Sequence, residues 1–109
     1  MKDVLPTAGF VKHNRARLKA GKREESKRML LEFFDSLQGK ATGLRGYVIL
    51  DNVKDEQETL ILTFRETKQD MDAFCQPRNK ALADFVEKSK TIMDSPPERT
   101  DYAVVKMKI

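Results

Sequence analysis

Six segments with strand or helix patterning follow one another in the order strand, helix, strand, strand, helix, strand, and little sequence is left between them. That order predicts an α+β chain of the split βαβ, ferredoxin-like type, a four-stranded antiparallel sheet with both helices on one face. The 109 residues suffice for one domain over 1–109, residues 1–9 being a leader. A domain of this size has a modest core, so a second subunit would add much to the buried apolar area.

Each segment has its own pattern. Phe10 to Leu18 alternates as a polar-biased strand, with Phe10, Lys12, Asn14, Ala16 and Leu18 on one face and Val11, His13, Arg15 and Arg17 on the other. Gly21 breaks it. Lys22 to Gln38 then carries Met29, Leu30, Phe33, Phe34 and Leu37 at helical spacing, and Gly39 and Gly43 end the helix. Leu44 to Asp51 and Thr59 to Arg65 form a hairpin around the polar stretch 52–58. Their apolar centres are nearly continuous, which predicts that both sheet faces are covered. The chain's own helices can cover one face, and a second copy in a homodimer could cover the other. Thr67 and Asp70 open a helix with a capping-box pattern, and Met71, Phe74 and Cys75 form its stripe. Pro77 interrupts it, Leu82, Phe85, Val86, Ser89 and Met93 resume it, and Pro96-Pro97 end it. Tyr102 to Met107 is expected as the last strand.

Composition excludes much chemistry. With no tryptophan, one histidine (His13) and one cysteine (Cys75), the chain cannot assemble a zinc site of ordinary spacing, and a Cys–His pair would need tertiary proximity that the faces do not favour. A net charge of +4 is spread among acidic residues rather than gathered in blocks, so no nucleic-acid partner is expected. No apolar run approaches a membrane span, no signal-peptide pattern opens the chain, and a lone cysteine fits a reducing compartment, so no membrane partner and a cytoplasmic location are expected. Gly43-Leu44-Arg45-Gly46 lacks the pattern of a phosphate-binding loop. Asp51, Asp55, Glu56 and Glu58 crowd the hairpin turn, where solvation is the simpler reading than acid–base work.

Three stretches resemble a known family: Asn14-Arg15-Ala16-Arg17-Leu18-Lys19-Ala20-Gly21-Lys22 before an acidic helix, Gly43-Leu44-Arg45-Gly46-Tyr47 opening a hairpin, and Leu62-Thr63-Phe64-Arg65-Glu66-Thr67 leading into a helix. Their order and spacing over Phe10 to Met107 are similar to the antibiotic biosynthesis monooxygenase family. The resemblance implies a dimeric α+β barrel in which two ferredoxin-like subunits face their sheets together, each holding a pocket between helices and sheet. In that superfamily some members oxidise polycyclic phenols or quinols with oxygen and neither metal nor flavin, some degrade haem, and others have no oxygenase role. Asn14 stands where the haem-degrading branch has a first-strand asparagine. The family's frequent tryptophan after the third strand is Arg65 here, the helical tryptophan of the haem branch is Phe74, and its proximal histidine falls near Ala83 or Asp84. Neither of these can ligate haem iron, which argues against haem degradation.

The candidate residues therefore carry two readings each. Asn14 is the catalytic candidate, a carboxamide able to hydrogen-bond dioxygen or a developing oxyanion, or else a residue satisfying backbone groups at a sheet edge. Phe33, Phe74 and Phe85 are candidate substrate-binding walls or plain core. Arg65 is an anion clamp at the pocket mouth or a solvated charge. Tyr47 and Tyr102 can donate to a phenolic oxygen or simply pack. Cys75 reads as a small buried apolar residue and His13 as a polar strand residue. The leading expectation is a cofactor-independent monooxygenase acting on an aromatic or quinol-type small molecule, with no metal. The alternatives are a noncatalytic dimeric small-ligand-binding or sensor module and an RNA-binding module on an exposed basic sheet.

Overall fold

The computed structural model describes residues 9–37, 44–70 and 80–108. Strand β1 (Phe10–Arg17) leads through a turn to helix α1 (Arg23–Ser36), then to β2 (Leu44–Asp51), β3 (Glu58–Arg65), helix α2 (Lys80–Ser89) and β4 (Glu98–Ala103). All strand pairs are antiparallel, and the sheet order is β2-β3-β1-β4. The two middle strands, β3 and β1, are therefore the first strands of the two βαβ halves, which is the ferredoxin-like order expected from the segment pattern.

The turn after β1 rests on Gly21, whose φ of +78° lies in the left-handed region that side chains disfavour. Leu18, almost wholly buried, forms an isolated bridge with Met93. Gly9 extends the sheet before β1, donating its N–H to the Arg65 carbonyl at 2.8 Å and accepting from Val104 N–H at 2.9 Å. A Cβ there would lie 2.7 Å from the Glu66 carbonyl oxygen, so only glycine fits without movement. Thr67 caps as its spacing predicts, its Oγ1 accepting from the Asp70 N–H at 3.0 Å.

One stripe of α1 seats Leu30, Phe33, Phe34 and Leu37 against Ile61 of β3, with Ile49, Leu44, Leu82 and Phe85 packed around them. Phe33 stacks on Phe85 of α2 at a ring separation of 4.6 Å, and Phe34 stacks on Tyr47 of β2 at 3.9 Å. These aromatic contacts tie α1 to α2 and to the sheet. Because Tyr47 meets α1, its strand neighbours Val48 and Leu50 point to the other face, where they pair with Leu62 and Leu60. Val48 and Leu50 are exposed, so within one chain only the helix-bearing face is covered.

Two expected boundaries are corrected. The last strand is Glu98–Ala103 rather than Tyr102 to Met107. Its residues are all exposed and mostly polar, so pairing with β1 rather than burial defines it, and the apolar alternation further on is misleading. The second helix ends at Ser89, and Met93 belongs to the bridge with Leu18 rather than to the helical stripe. Met71, Phe74, Cys75 and Pro77 lie outside the described residues.

Candidate functional site

The helix-bearing face of the sheet and the inner sides of α1 and α2 bound a cavity of about 510 Å³. Its floor is set by strand register. Lys12 lies between Thr63 on β3 and Asp101 on β4, and one row along, Asn14 lies between Ile61 and Arg99. Leu30, Phe33, Leu82 and Phe85 form the opposite wall, and Asp94, Pro96 and Pro97 line it further on. An apolar vault over a floor with a few polar groups is the usual construction of a small-molecule site.

The floor's polar groups are arranged in a definite way. Arg99 Nε donates to Asn14 Oδ1 at 3.1 Å. Because a guanidinium can only donate, that contact fixes the carboxamide so that Asn14 keeps its Nδ2 hydrogens for another partner. Lys12 Nζ stands 2.7 Å from Asp101 Oδ1, and the Lys12 side chain is largely buried. The Thr63 hydroxyl is buried without a hydrogen-bond partner among the described residues. An unpaired buried hydroxyl costs stability unless something else occupies its bonding positions.

The sequence candidates are placed as follows. Asn14, Phe33 and Phe85 come together at the cavity. Arg65 does not reach it. Its side chain is fully buried at the end of β3, so it is neither a solvated charge nor a residue of the pocket mouth. Phe74 lies outside the described residues. Ala83 and Asp84 are exposed on α2, and Asp84 pairs with Lys80 at 3.3 Å. His13 points to the open sheet face, edge-on to Tyr102 at 6.2 Å, as its strand position implies. Tyr47 is absorbed in the stack with Phe34. Reading the sequence did not single out Lys12, Thr63 or Arg99. The alternation of β1 placed Lys12 beside Asn14, but nothing marked β4 as the strand facing them. No group of three or more His, Cys, Asp or Glu side chains among the described residues could hold a metal ion.

The acidic hairpin turn is a separate cluster, away from the cavity. Asn52 Oδ1 accepts from the N–H groups of Lys54 and Asp55, and Asn52 Nδ2 donates to Glu58 at 2.7 Å. Arg17 pairs with Asp55 at 2.7 Å, Arg15 pairs with Glu58, and Arg23 donates to the carbonyls of Asn52 and Asp55. The Arg17 hydrogen bond, helped by the Gln57 N–H, holds the Asp55 carboxyl below its ordinary range. The Asn52 amide, then Arg15, does the same for Glu58. These carboxylates are tied down as anions, a structural use rather than acid–base chemistry.

No family model matches the chain, and no curated protein matches it in sequence. Solved structures do match in fold. A protein of unknown function from Nitrosomonas europaea superposes with a TM-score of 0.77 at 13% identity, over 95% of this chain and 96% of that one. A second protein from the same organism, named "putative antibiotic biosynthesis monooxygenase", gives a TM-score of 0.75 at 17% identity over 88% of this chain and 89% of that one. A third, of the same name and from Chloroflexus aurantiacus, gives 0.70 at 16% identity over 91% and 95%. The likeness is one of fold and spans nearly the full length of each partner. The family that the sequence resembles is thus represented by name among the proteins that share this architecture. No helix among the described residues is long and apolar enough to cross a membrane.

Proposed function

We propose that the chain is a cofactor-independent monooxygenase that oxidises an aromatic or quinol-type small molecule in the cavity between sheet and helices. The observation that carries this reading is the 510 Å³ apolar vault with the Asn14 carboxamide on its floor, its oxygen already engaged by Arg99 and its N–H pair left to donate. The fold shared with proteins named as antibiotic biosynthesis monooxygenases supports it.

In the proposed reaction the ionised substrate is its own reductant. One electron passes from the substrate anion to dioxygen, and the two radicals combine into a peroxide anion on a ring carbon that bears hydrogen. That anion takes back the proton lost when the substrate ionised, and loss of water from the hydroperoxide leaves one oxygen atom as a ring carbonyl and the other in water. The protein excludes bulk water, holds the ring between Phe33 and the floor, and directs the Asn14 N–H groups at oxygen carrying negative charge. Two copies would pack their open sheet faces together, covering Val48, Leu50, Leu60 and Leu62 and completing a dimeric α+β barrel.

Oxygen uptake by metal-free protein with a panel of hydroquinones and polycyclic phenols tests the activity. Substrate-dependent uptake is expected, and Asn14→Ala should lower it by about 100-fold, as loss of one oxyanion donor does elsewhere. Uptake no faster than that of the substrates alone would overturn the reading. A second reading, a ligand-binding or sensor module without catalysis, is favoured by one observation. The carboxylate lining the described cavity, Asp94, is exposed and is no evident general base. Under that reading the same compounds bind and no oxygen is consumed.

A further inference from the structure

We propose that the ligand of this cavity carries an anionic oxygen, a carboxylate or an ionised ring hydroxyl, on its aromatic body, and that Arg99 is its counter-charge. The inference rests on the reading of the cavity as an aromatic-ligand site and goes on to specify what that ligand bears.

The floor is a donor surface. Across β3, β1 and β4, two adjacent rows place Thr63 beside Lys12 and Asn14 beside Arg99. Asn14 Oδ1 accepts from Arg99, and both amide hydrogens are left to donate. Lys12 donates by nature and has given one bond to Asp101. The Thr63 hydroxyl is buried, borders the cavity and has no partner among the described residues, so it is available to a ligand atom. Arg99 donates only, and after the bond from Nε its two terminal amino groups remain unused.

The charges on this floor do not cancel. Lys12 and Asp101 neutralise each other at 2.7 Å. Arg99 forms no ion pair with any acidic side chain among the described residues, and its bond to Asn14 involves a neutral group. A solvated edge-strand arginine would ordinarily be held by nothing. Here the Nε bond to the residue directly opposite on β1 anchors the guanidinium at the cavity's polar end. Among the described residues Asp94 is the one carboxylate lining the cavity, and it offers Arg99 no ion pair. A neutral aromatic with a hydroxyl would fill the vault and could meet the Thr63 hydroxyl, but it would leave Arg99 without a counter-ion. An aromatic anion supplies that counter-ion as well, and a charge-assisted pair beside apolar walls is stronger than the same pair in water.

Equilibrium binding of three naphthalenes to the full-length chain at neutral pH tests this. The probes are 2-naphthoate, its neutral counterpart 2-naphthalenemethanol, and 2,4-dinitro-1-naphthol, which is ionised at that pH. The chain has no tryptophan, so naphthalene fluorescence reads the first two directly, and calorimetry reads the third. We expect at least one anion to bind about tenfold tighter than the alcohol. Arg99→Gln, which can still donate to Asn14, should abolish that preference while leaving the alcohol's affinity unchanged. A preference confined to the naphthoate assigns a carboxylate ligand, one confined to the naphtholate assigns an ionised hydroxyl, and both support the counter-charge. If neither anion binds more tightly than the alcohol, or if Arg99→Gln weakens anion and alcohol equally, the anion site is overturned and the aromatic pocket is left standing. If none of the three binds, both the pocket and the anion site are overturned.

Discussion

Thr63 places a buried hydroxyl at the cavity with no hydrogen-bond partner among the described residues. It lies on the central strand β3, although its neighbours on the same face satisfy one another. Such a group is costly in the free protein and becomes useful only when a ligand occupies its bonding position. Thr63→Val keeps the β-branched shape and removes the hydroxyl, so it should stabilise the ligand-free chain by about 1 kcal/mol. The urea midpoint of unfolding checks this, and an unchanged or lowered midpoint would mean that the hydroxyl is satisfied in solution. At this scale Asn14 was legible in the sequence because strict alternation on β1 put it among Phe10, Ala16 and Leu18. Arg65 was not legible. An arginine at a strand end ordinarily stays in water, and nothing local signals that tertiary packing will bury this one.

Among the elements, those with one buried face were read closely and the one without was misplaced. Helix α1 and the β2–β3 hairpin announce themselves through periodicity, since Leu30, Phe33, Phe34 and Ile61 must share a core. Strand β4 has both faces exposed, so Glu98 to Asp101 carry no apolar rhythm, and the apolar alternation is shifted onward to Tyr102 to Met107. That shift also hid Arg99, and with it half of the site's polar floor. The hairpin turn is stabilised differently, by charges and amides rather than apolar contacts. Asp55 and Glu58 both have folded-state pKa values below their ordinary range, through Arg17 and Asn52 respectively. Their contribution is present above the unfolded carboxylate value near 4 and is lost as pH falls through the lower folded value. Thermal denaturation should therefore show a melting temperature that is level from about pH 5 to 7 and drops below about pH 4. Asp55→Asn should flatten that drop, and an identical acid slope in the variant would remove Asp55 from the explanation.

For the whole molecule, one face of the sheet is finished by α1 and α2 and the other is not. The open face carries Val48 and Leu50 on β2, both exposed, opposite Leu62 and Leu60 on β3. Sheets open to solvent normally alternate polar residues outward, and here the outward pairs of β2 and β3 are aliphatic. A second copy related by a two-fold axis would meet the same residues with the same residues. Sedimentation velocity should find the dimer mass for the native chain and the monomer mass for Leu50→Glu, which would place a like charge against itself across the axis. A monomeric native chain would overturn the dimeric arrangement without touching the cavity as its described residues form it. Near-continuous apolar runs in β2 and β3 make the aliphatic second face legible in the sequence, but not what covers it.

The position of Arg99 on an edge strand exposed along its whole length has an evolutionary consequence. Substitutions at such positions change folding stability little, whereas Phe33, Phe34 or Ile61 cannot change without disturbing the packing on which the fold depends. The vault that fits an aromatic body is thus inherited with the core, while the group that discriminates among aromatic ligands sits where mutation is nearly free. Descendants of such a chain can trade one ligand for another by drifting along β4, keeping their architecture while their sequences diverge.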